Sequence, residues 1–191
     1  MKEQIILIGG GGHCKSVIDV IEQEGRFEIA GIIEKYVGES EAVLGYPLIG
    51  TDDELEKLRQ EYSYAFVTIG HLASNKVRVK LFEKLKVLEF NIPVIISPLA
   101  YVSKHARVAR GTVVMHHALL NAAVDVGENC IINSKALLEH DVVIGDNSHI
   151  STGAILNGGV SVEPNSFVGS GTVVKQGNNI SGFIKMGSVV K

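Results

Sequence analysis

The sequence has 191 residues, of which 46% are hydrophobic and 20% are charged, enough for a sizeable core and too apolar for a disordered chain. Its net charge of −3 and its scattered Lys and Arg residues exclude the basic patch that nucleic-acid binding requires. No apolar run approaches the ~20 residues of a membrane span, and the apolar stretch before the first glycines is too short for a signal peptide. We therefore expect a cytoplasmic protein that neither spans a membrane nor binds nucleic acid.

The first part of the chain alternates between strand and helix patterns. The segment QIILIGGGGHCKSVIDVIEQEG predicts a short strand, a glycine loop and an amphipathic helix. FEIAGIIE predicts a second strand, and TDDELEKLRQ predicts a helix opened by a capping box of Thr51 and Glu54. YAFVTIG predicts a third strand, and residues 74–90 a further helix. This alternation is typical of a small parallel α/β domain, and Pro93 and Pro98 mark its end.

A run of four glycines, residues 9–12, separates the first strand from its helix. The dinucleotide fingerprint G-x-G-x-x-G is not met, because Cys14 stands where the third glycine belongs, so we do not expect a dehydrogenase fold. The amides of such a loop, together with a helix N-terminus, can still bind a phosphate. A tight turn without a ligand is the alternative interpretation.

A six-residue repeat fills the second part of the chain. An aliphatic residue returns at every sixth position from Ile96 to Met186. Four positions after most of them comes a small residue, which Val124, Val142 and Val160 replace at every third repeat. A regular exception at every third repeat indicates that three hexads make one turn of a coil with a triangular section.

Neither an α-helix nor an alternating strand has a period of six, so the repeat predicts a parallel β-helix of roughly five coils, stacked as a solenoid. The aliphatic residues should point inward, and glycine and asparagine should form the turns. The residues predicted for the turns are Gly127, Asn129, Gly145, Asn147, Gly169 and Gly171.

Both parts together resemble one family. The motifs IILIGGGGHCKSVIDVIE, GIIEKYVG, LGYPLIGTDDEL and VTIG, followed by INSKALLEHDVVIGDNSHISTGAILNGGVSV, are similar to those of bacterial hexapeptide-repeat sugar acetyltransferases of the PglD and NeuD type. The resemblance covers nearly the whole chain. It implies an α/β sugar-nucleotide-binding domain over residues 1–92 and a left-handed β-helix acetyltransferase domain over residues 93–191, against the usual right-handed crossover rule.

The resemblance implies acetyl transfer from acetyl-CoA, with His140 as the catalytic base. An imidazole can accept a proton near neutral pH, which suits a base that deprotonates an attacking amine. Asp141 matches the acidic neighbour that orients this imidazole. Adjacent strand residues point to opposite faces, so Asp141 can orient His140 only if the chain turns there. Glu139 is the alternative orienting residue.

The resemblance also implies how both substrates are bound. Residues of the β-helix would contact acetyl-CoA. The glycine loop, the end of the third strand and the family's acidic pair after the second strand would contact the nucleotide sugar. That pair appears here as Glu34 and Lys35, a departure that leaves the nucleotide open. The residues for acetyl-CoA are His149, Asn133, Gly158, Ser170 and Ser188; those for the nucleotide sugar are Gly11, Gly12, His13, Glu34, Lys35 and Gly70.

The family further implies a homotrimer with active sites between adjacent β-helices. This sequence ends at MGSVVK, whereas relatives continue into a G-x-P-A-K-like motif that helps to close over CoA, so we expect a difference in how CoA is held.

Several alternatives compete with this interpretation. β-Helix carbonic anhydrases bind zinc through three histidines, but Gly145 occupies the position of the partner that His140 would need, so we expect no metal. The two cysteines, Cys14 and Cys130, form no C-x-x-C pattern and suit a reducing compartment. A trimeric scaffold that binds sugar nucleotides without catalysis is the non-enzymatic alternative.

We therefore predict an acetyl-CoA-dependent N-acetyltransferase that acts on a nucleotide-linked 4-amino-4,6-dideoxy sugar in bacterial surface glycan or glycoprotein synthesis. A UDP-linked sugar is favoured. O-acetylation of sialic acid-like sugars and N-acetylation of a GDP-linked perosamine-type sugar remain as alternatives within the same class.

Overall fold

The computed structural model describes residues 2–35, 42–71 and 74–191. The chain divides into two compact units, Met1–Pro93 and Val94–Lys191. In the first unit, the end of the GIIEKYVG motif beyond Lys35 lies outside the described residues. Among the helices of the described ranges, none is long and apolar enough to cross a membrane.

The first unit is a five-stranded sheet with helices, in the strand order β3-β4-β2-β1-β5. All pairs are parallel except β3 with β4 at the edge. The core consists of the apolar face of the first helix and of the central strands, which are almost fully buried. The elements are β1 (Glu3–Ile8), α1 (Gly12–Glu24), β2 (Phe27–Ile33), β3 (Ala42–Val43), β4 (Tyr46–Gly50), a 3₁₀ turn (Asp52–Glu54), α2 (Leu55–Leu58), β5 (Tyr64–Val67) and α3 (Lys76–Val87).

This topology confirms the predicted small parallel α/β fold, with three local differences. The capping box is present, since the Glu54 carboxylate accepts the Thr51 amide at 2.8 Å, but it opens a short 3₁₀ turn and one turn of α-helix. Helix α3 is shorter than the segment predicted for it. Strands β3 and β4 were not predicted, because their residues carry Gly45 and Pro47, which are more typical of turns and sheet edges.

The second unit is a parallel β-helix of two-residue strands. The strands form three sheets, which we call the first (β6, β9, β12, β15, β18, β21), the second (β7, β10, β13, β16, β19, β22) and the third (β8, β11, β14, β17, β20). The bounds are β6 Ile95–Ile96, β7 Tyr101–Val102, β8 Arg107–Val108, β9 Val113–Val114, β10 Leu119–Leu120, β11 Asp125–Val126, β12 Ile131–Ile132, β13 Leu137–Leu138, β14 Val143–Ile144, β15 His149–Ile150, β16 Ile155–Leu156, β17 Ser161–Val162, β18 Phe167–Val168, β19 Val173–Val174, β20 Asn179–Ile180, β21 Phe183–Ile184 and β22 Val189–Val190.

The packing of these strands confirms the predicted triangular coil. From β6 to β17, each strand pairs with the strand three hexads further along the chain, as Leu138 does with Leu156. The second residue of each strand lies in one continuous apolar core, and the small residues and Val124, Val142 and Val160 pack beside it.

The last coil corrects the prediction for Met186. The strands β18 and β21 pair Val168 with Ile184, so this coil is shorter than the three full hexads of the coils before it. Ile184 therefore takes the inward position, and Met186 is exposed. The corner between Ile180 and Ile184 is two residues shorter than the other corners. Beyond this corner, every sixth residue no longer falls on an inward position.

The turns of the β-helix repeat one backbone conformation at regular intervals. Every sixth residue from Gly111 to Gly177 has a positive φ, and Asn129, Asn147 and Gly171 are among them as predicted. Gly127, Gly145 and Gly169, by contrast, have no positive φ. A Cβ at Gly145 would lie 2.5 Å from the Pro164 nitrogen of the next coil, so close stacking requires glycine there.

Candidate active site

The chain turns at His140, and this turn brings two predicted catalytic residues together. His140 and Asp141 lie between β13 and β14, with Asp141 at φ 60°. The Nδ1 atom of His140 lies 2.8 Å from Oδ2 of Asp141. Glu139 contacts a different residue, since its carboxylate accepts the Asn121 side-chain amide at 2.8 Å. Of the two candidate orienting residues, only Asp141 therefore makes a hydrogen bond to His140.

This geometry determines which nitrogen of His140 is available. An ionised carboxylate only accepts hydrogen bonds, so the neutral imidazole donates from Nδ1 and carries its lone pair on Nε2. The side chains of His140 and Asp141 are 55% and 66% exposed. The pair therefore lies outside the apolar core, and Nε2 can accept a proton from a molecule at the surface.

Gly158 lies directly beneath the His140 ring, one coil further along. A Cβ at this position would lie 2.5 Å from both Cε1 and Nε2 of His140, so only glycine leaves the ring in place. The adjacent Gly159 amide donates to the His140 carbonyl at 2.9 Å. Gly158 was predicted to contact acetyl-CoA, and the structure places it beside the nitrogen that would act as the base.

His149 lies in β15 of the first sheet rather than in a turn. It is 5% exposed, and its Nε2 lies 3.1 Å from the Asn133 side-chain amide nitrogen. Its ring meets Phe167 edge to face, and Phe167 stacks on Phe183. Two of the residues predicted for acetyl-CoA, His149 and Asn133, are thus in contact with each other.

The remaining acetyl-CoA candidates follow the corner between the first and second sheets. Asn133 lies there two coils before Ser170, and Ser188 lies one coil after it. The Ser170 hydroxyl contacts that of Ser151, on the coil between Asn133 and Ser170, at 2.9 Å. His140, Asp141 and Gly158 lie at the corner between the second and third sheets. The chain by itself therefore places the two groups of predicted residues on opposite edges of the second sheet.

The outer face of the second sheet, between these two corners, is entirely apolar. Each strand points its first residue outward, and these residues are half-buried or exposed. The outward positions of the third sheet are mostly polar, for example Arg107 and Asp125. The apolar face consists of Tyr101, Leu119, Leu137, Ile155, Val173 and Val189.

In the α/β unit, the predicted nucleotide-sugar residues meet at the carboxyl ends of three adjacent strands. The Glu34 carboxylate accepts hydrogen bonds from the Gly10 amide at 2.6 Å and from the Lys35 amide at 2.9 Å. Gly11 and Gly12 begin α1 with open space around them, and the Cβ of His13 lies 3.6 Å from where a Cβ of Gly70 would be. The Lys35 side chain is exposed.

Two further titratable residues at this edge were not predicted. Burial raises the pKa of the Asp52 carboxyl, Lys84 opposes this shift, and repulsion from Glu34 adds to it. Burial also raises the pKa of the Cys14 thiol to about 11. Asp52 follows β4, and because β4 was itself missed, no pattern in the sequence indicated that Asp52 would lie near Glu34.

Within residues 2–35, 42–71 and 74–191, no three His, Cys, Asp or Glu side chains lie close enough together to hold a metal ion. Of the predicted site residues, His140 and Asp141 form a hydrogen-bonded pair on the β-helix, and Glu34 is hydrogen-bonded to the glycine loop of the α/β unit.

Comparison with known proteins identifies both units. Residues 4–85 match the PglD N-terminal domain, and residues 123–158 and 141–176 match the bacterial transferase hexapeptide repeat. The acetyltransferase domain of PglB from Neisseria gonorrhoeae FA1090, solved with acetyl coenzyme A, is 30% identical; the match covers 100% of this chain and 92% of that one with a TM-score of 0.90. The chain belongs to the PglD-type hexapeptide-repeat sugar acetyltransferases. The predicted fold class, with its left-handed β-helix, is confirmed.

The names or structures of two further relatives include a nucleotide-linked sugar. PerB from Caulobacter crescentus, solved with CoA and GDP-perosamine, is 32% identical over 96% of this chain and 91% of its own, with a TM-score of 0.69. The UDP-N-acetylbacillosamine N-acetyltransferase of Bacillus subtilis (strain 168) is 33% identical over 117 residues, or 59% of this chain. That match spans about half (51%) of the length of the curated relative.

Proposed function

We propose that this protein transfers the acetyl group of acetyl-CoA to the amine of a nucleotide-linked amino sugar, with His140 as the base. The hydrogen bond between His140 and Asp141 at an exposed turn carries the proposal. It is supported by the relatives, whose names include amino-sugar N-acetyltransferases and whose structures contain acetyl-CoA or CoA.

The chemistry follows from the position of Nε2. The sugar amine attacks the thioester carbonyl, a C–N bond forms and the C–S bond breaks. His140 Nε2 accepts the proton that the amine loses and returns it to the departing thiolate of CoA. Asp141 holds the ring in the tautomer that leaves Nε2 free for this transfer. Removal of such a base slows a reaction by about 10²–10⁴-fold.

We assign the remaining predicted residues to binding. His149, Asn133, Gly158, Ser170 and Ser188 would contact acetyl-CoA. Residues 11–13, Glu34, Lys35 and Gly70 would contact the nucleotide sugar, where their backbone amides suit a diphosphate. A UDP-linked 4-amino-4,6-dideoxy sugar remains the favoured acceptor, and GDP-linked amino sugars and sialic acids are the alternatives to test. We place the reaction in the cytoplasm and assign no metal to it.

A direct test is the release of CoA thiol when the protein and acetyl-CoA meet a panel of UDP-amino sugars, GDP-amino sugars and sialic acids. We expect one amino sugar to give turnover, and His140→Ala to lower kcat by about 10²-fold or more. Turnover only with sialic acids would replace the proposed acceptor. Equal rates for His140→Ala and wild type would refute the role of His140, and no turnover at all would favour a binding scaffold.

We also propose that the active protein is a homotrimer that packs through the apolar face. Such a face is costly to leave in water, and a cyclic assembly brings different patches of adjacent copies together. The corner of one copy that carries His140 would then meet the corner of the next that carries Asn133 and Ser170. Each site would draw on two chains.

Two variants test this assembly. Leu137→Asp places a charge in the apolar face, and we expect a drop to monomer mass in light scattering with loss of activity. Val143→Asp, on the third sheet, is the matched control and should remain a trimer. Unchanged mass for Leu137→Asp would refute this packing.

Complementation tests whether sites are shared between chains. We expect co-expressed His140→Ala and His149→Ala chains, each inactive alone, to recover about a quarter of the sites, since random mixing pairs an intact His140 with an intact His149 at that frequency. No recovery from mixed trimers would show that one chain supplies both residues.

A further inference from the structure

Thr68, the residue after β5, joins three segments of the α/β unit. Its side chain is buried, and its hydroxyl lies 2.9 Å from the Ile8 carbonyl and 2.6 Å from the Gly9 carbonyl. The Cys14 thiol in the first turn of α1 lies close enough to this hydroxyl for the hydroxyl to lower the thiol pKa, against the larger effect of burial. One side chain therefore contacts the end of β1 and the glycine loop, and it lies beside the start of α1.

Gly9 is the point at which this contact matters most. Its φ of 105° is open to glycine and strained for other residues, and a Cβ there would lie 2.5 Å from the Ile69 side chain. Its amide donates to the Ile33 carbonyl at 2.8 Å. Since the Thr68 hydroxyl donates to its carbonyl, both backbone groups of Gly9 are hydrogen-bonded.

The strand end that carries Thr68 is itself held in place. Arg78 in α3 is almost fully buried, and its Nη1 donates to the carbonyls of Val67 and Ile69 at 2.8 and 2.9 Å. These carbonyls flank Thr68 on both sides. Arg78 thus holds the backbone on both sides of Thr68, whose hydroxyl reaches the glycine loop.

A run of glycines is the most flexible backbone that a chain can have, and a ligand must bear the entropy of ordering it unless the protein does so first. We propose that Thr68 is a positioning residue that holds the glycine loop in the conformation that binds the nucleotide sugar. This rests on the proposed function of that loop. Thr68 touches no substrate in this scheme and acts through Gly9 and α1.

Isosteric substitution separates this role from packing. Thr68→Val keeps the shape and removes the hydroxyl, and we expect the Kd for UDP or GDP, measured by calorimetry, to rise about 10-fold, which corresponds to one lost hydrogen bond. The KM for the nucleotide sugar should rise with it, whereas the KM for acetyl-CoA should not change. Thr68→Ser should restore tight binding because it keeps the hydroxyl.

Thr112→Val is the matched control. Thr112 is also fully buried, and its hydroxyl donates to the Gly127 carbonyl at 2.8 Å, but it lies in the β-helix. We expect it to lower the unfolding temperature about as much as Thr68→Val while leaving the Kd for the nucleotide unchanged. A Kd for Thr68→Val equal to that of wild type overturns the positioning role alone. Failure of wild type to bind UDP and GDP overturns the proposed nucleotide site and this role together.

Discussion

The catalytic pair proposed on the β-helix and the glycine loop of the α/β unit are held in place in different ways. On the β-helix, His140 and Asp141 lie in an exposed turn, outside the hydrophobic core. In the α/β unit, the glycine loop is held by buried polar groups, of which Thr68 is the most central. Catalysis should therefore be separable from folding in the first case, whereas binding and folding should be coupled in the second.

In this comparison, the largest expected effect comes from Gly158→Ala, which tests whether catalysis is separable from folding on the β-helix. The new Cβ would displace the His140 imidazole, a flexible side chain, so folding should be little affected. A displacement of about 1 Å at a reacting group can cost about 10²-fold in rate, so we expect kcat to fall to that degree. Steady-state kinetics would check this.

The same measurement separates two roles for Gly158. A fall in kcat with an unchanged KM for acetyl-CoA fits a glycine that makes room for the base. A rise in that KM alone would instead fit a glycine whose main role is to contact the cofactor, and an altered unfolding temperature would break the proposed separation.

Asp141→Asn should have a smaller effect on the same pair. Asparagine tolerates the φ of 60° and keeps the size of the side chain, but it no longer favours one imidazole tautomer. We expect kcat to fall about 10-fold, because the base then spends time in unproductive orientations. Thermal unfolding should match wild type; activity equal to wild type would contradict an orienting role for Asp141.

Glu34→Gln tests whether binding and folding are coupled in the α/β unit. The carboxylate accepts two backbone amides, and the neutral amide side chain keeps only one oxygen for them. We expect the KM for the nucleotide sugar to rise about 5-fold and the unfolding temperature to fall as well, since bonds to charged groups exceed neutral ones in strength. Glu139→Gln, on the β-helix, is the control and should leave that KM unchanged.

The smallest effect concerns acid stability. Burial, together with the nearby charge of Arg78, lowers the pKa of His71, which is 5% exposed. The unfolded chain therefore binds this proton at a higher pH than the folded one, so stability should fall as the pH drops below the ordinary value of about 6.5. His71→Gln should remove part of that loss in urea titrations at pH 5.5 and 8, and an identical pH dependence in both proteins would contradict the assignment.

The sequence predicted more of the β-helix than of the α/β unit. A period of six with an exception at every third repeat defines the coil, its inward residues and its corners, as Leu138 and Val142 illustrate. The count failed only at Met186, where two residues are missing from a corner. In the α/β unit, β3 and β4 were not predicted, because the sequence of a short edge pair with glycine and proline does not differ from that of a loop.

Among the predicted site residues, the sequence predicted a contact where the two residues are neighbours in the chain. His140 and Asp141 are adjacent, but that Asp141 and not Glu139 bonds to the ring depends on a turn with positive φ. Asn133 with His149, and Gly158 with His140, are one coil apart, a distance that the period could have indicated.

By itself, then, the sequence determined the family and the fold class and predicted the turn of His140 and Asp141, because periodicity and local motifs are properties of the chain. Only the tertiary structure decided which groups hold the glycine loop. Thr68 and Gly9 are 59 residues apart, and no repeat relates them. Their contact exists because parallel strands β1 and β5 end at the same edge of one sheet, and that adjacency is a product of folding.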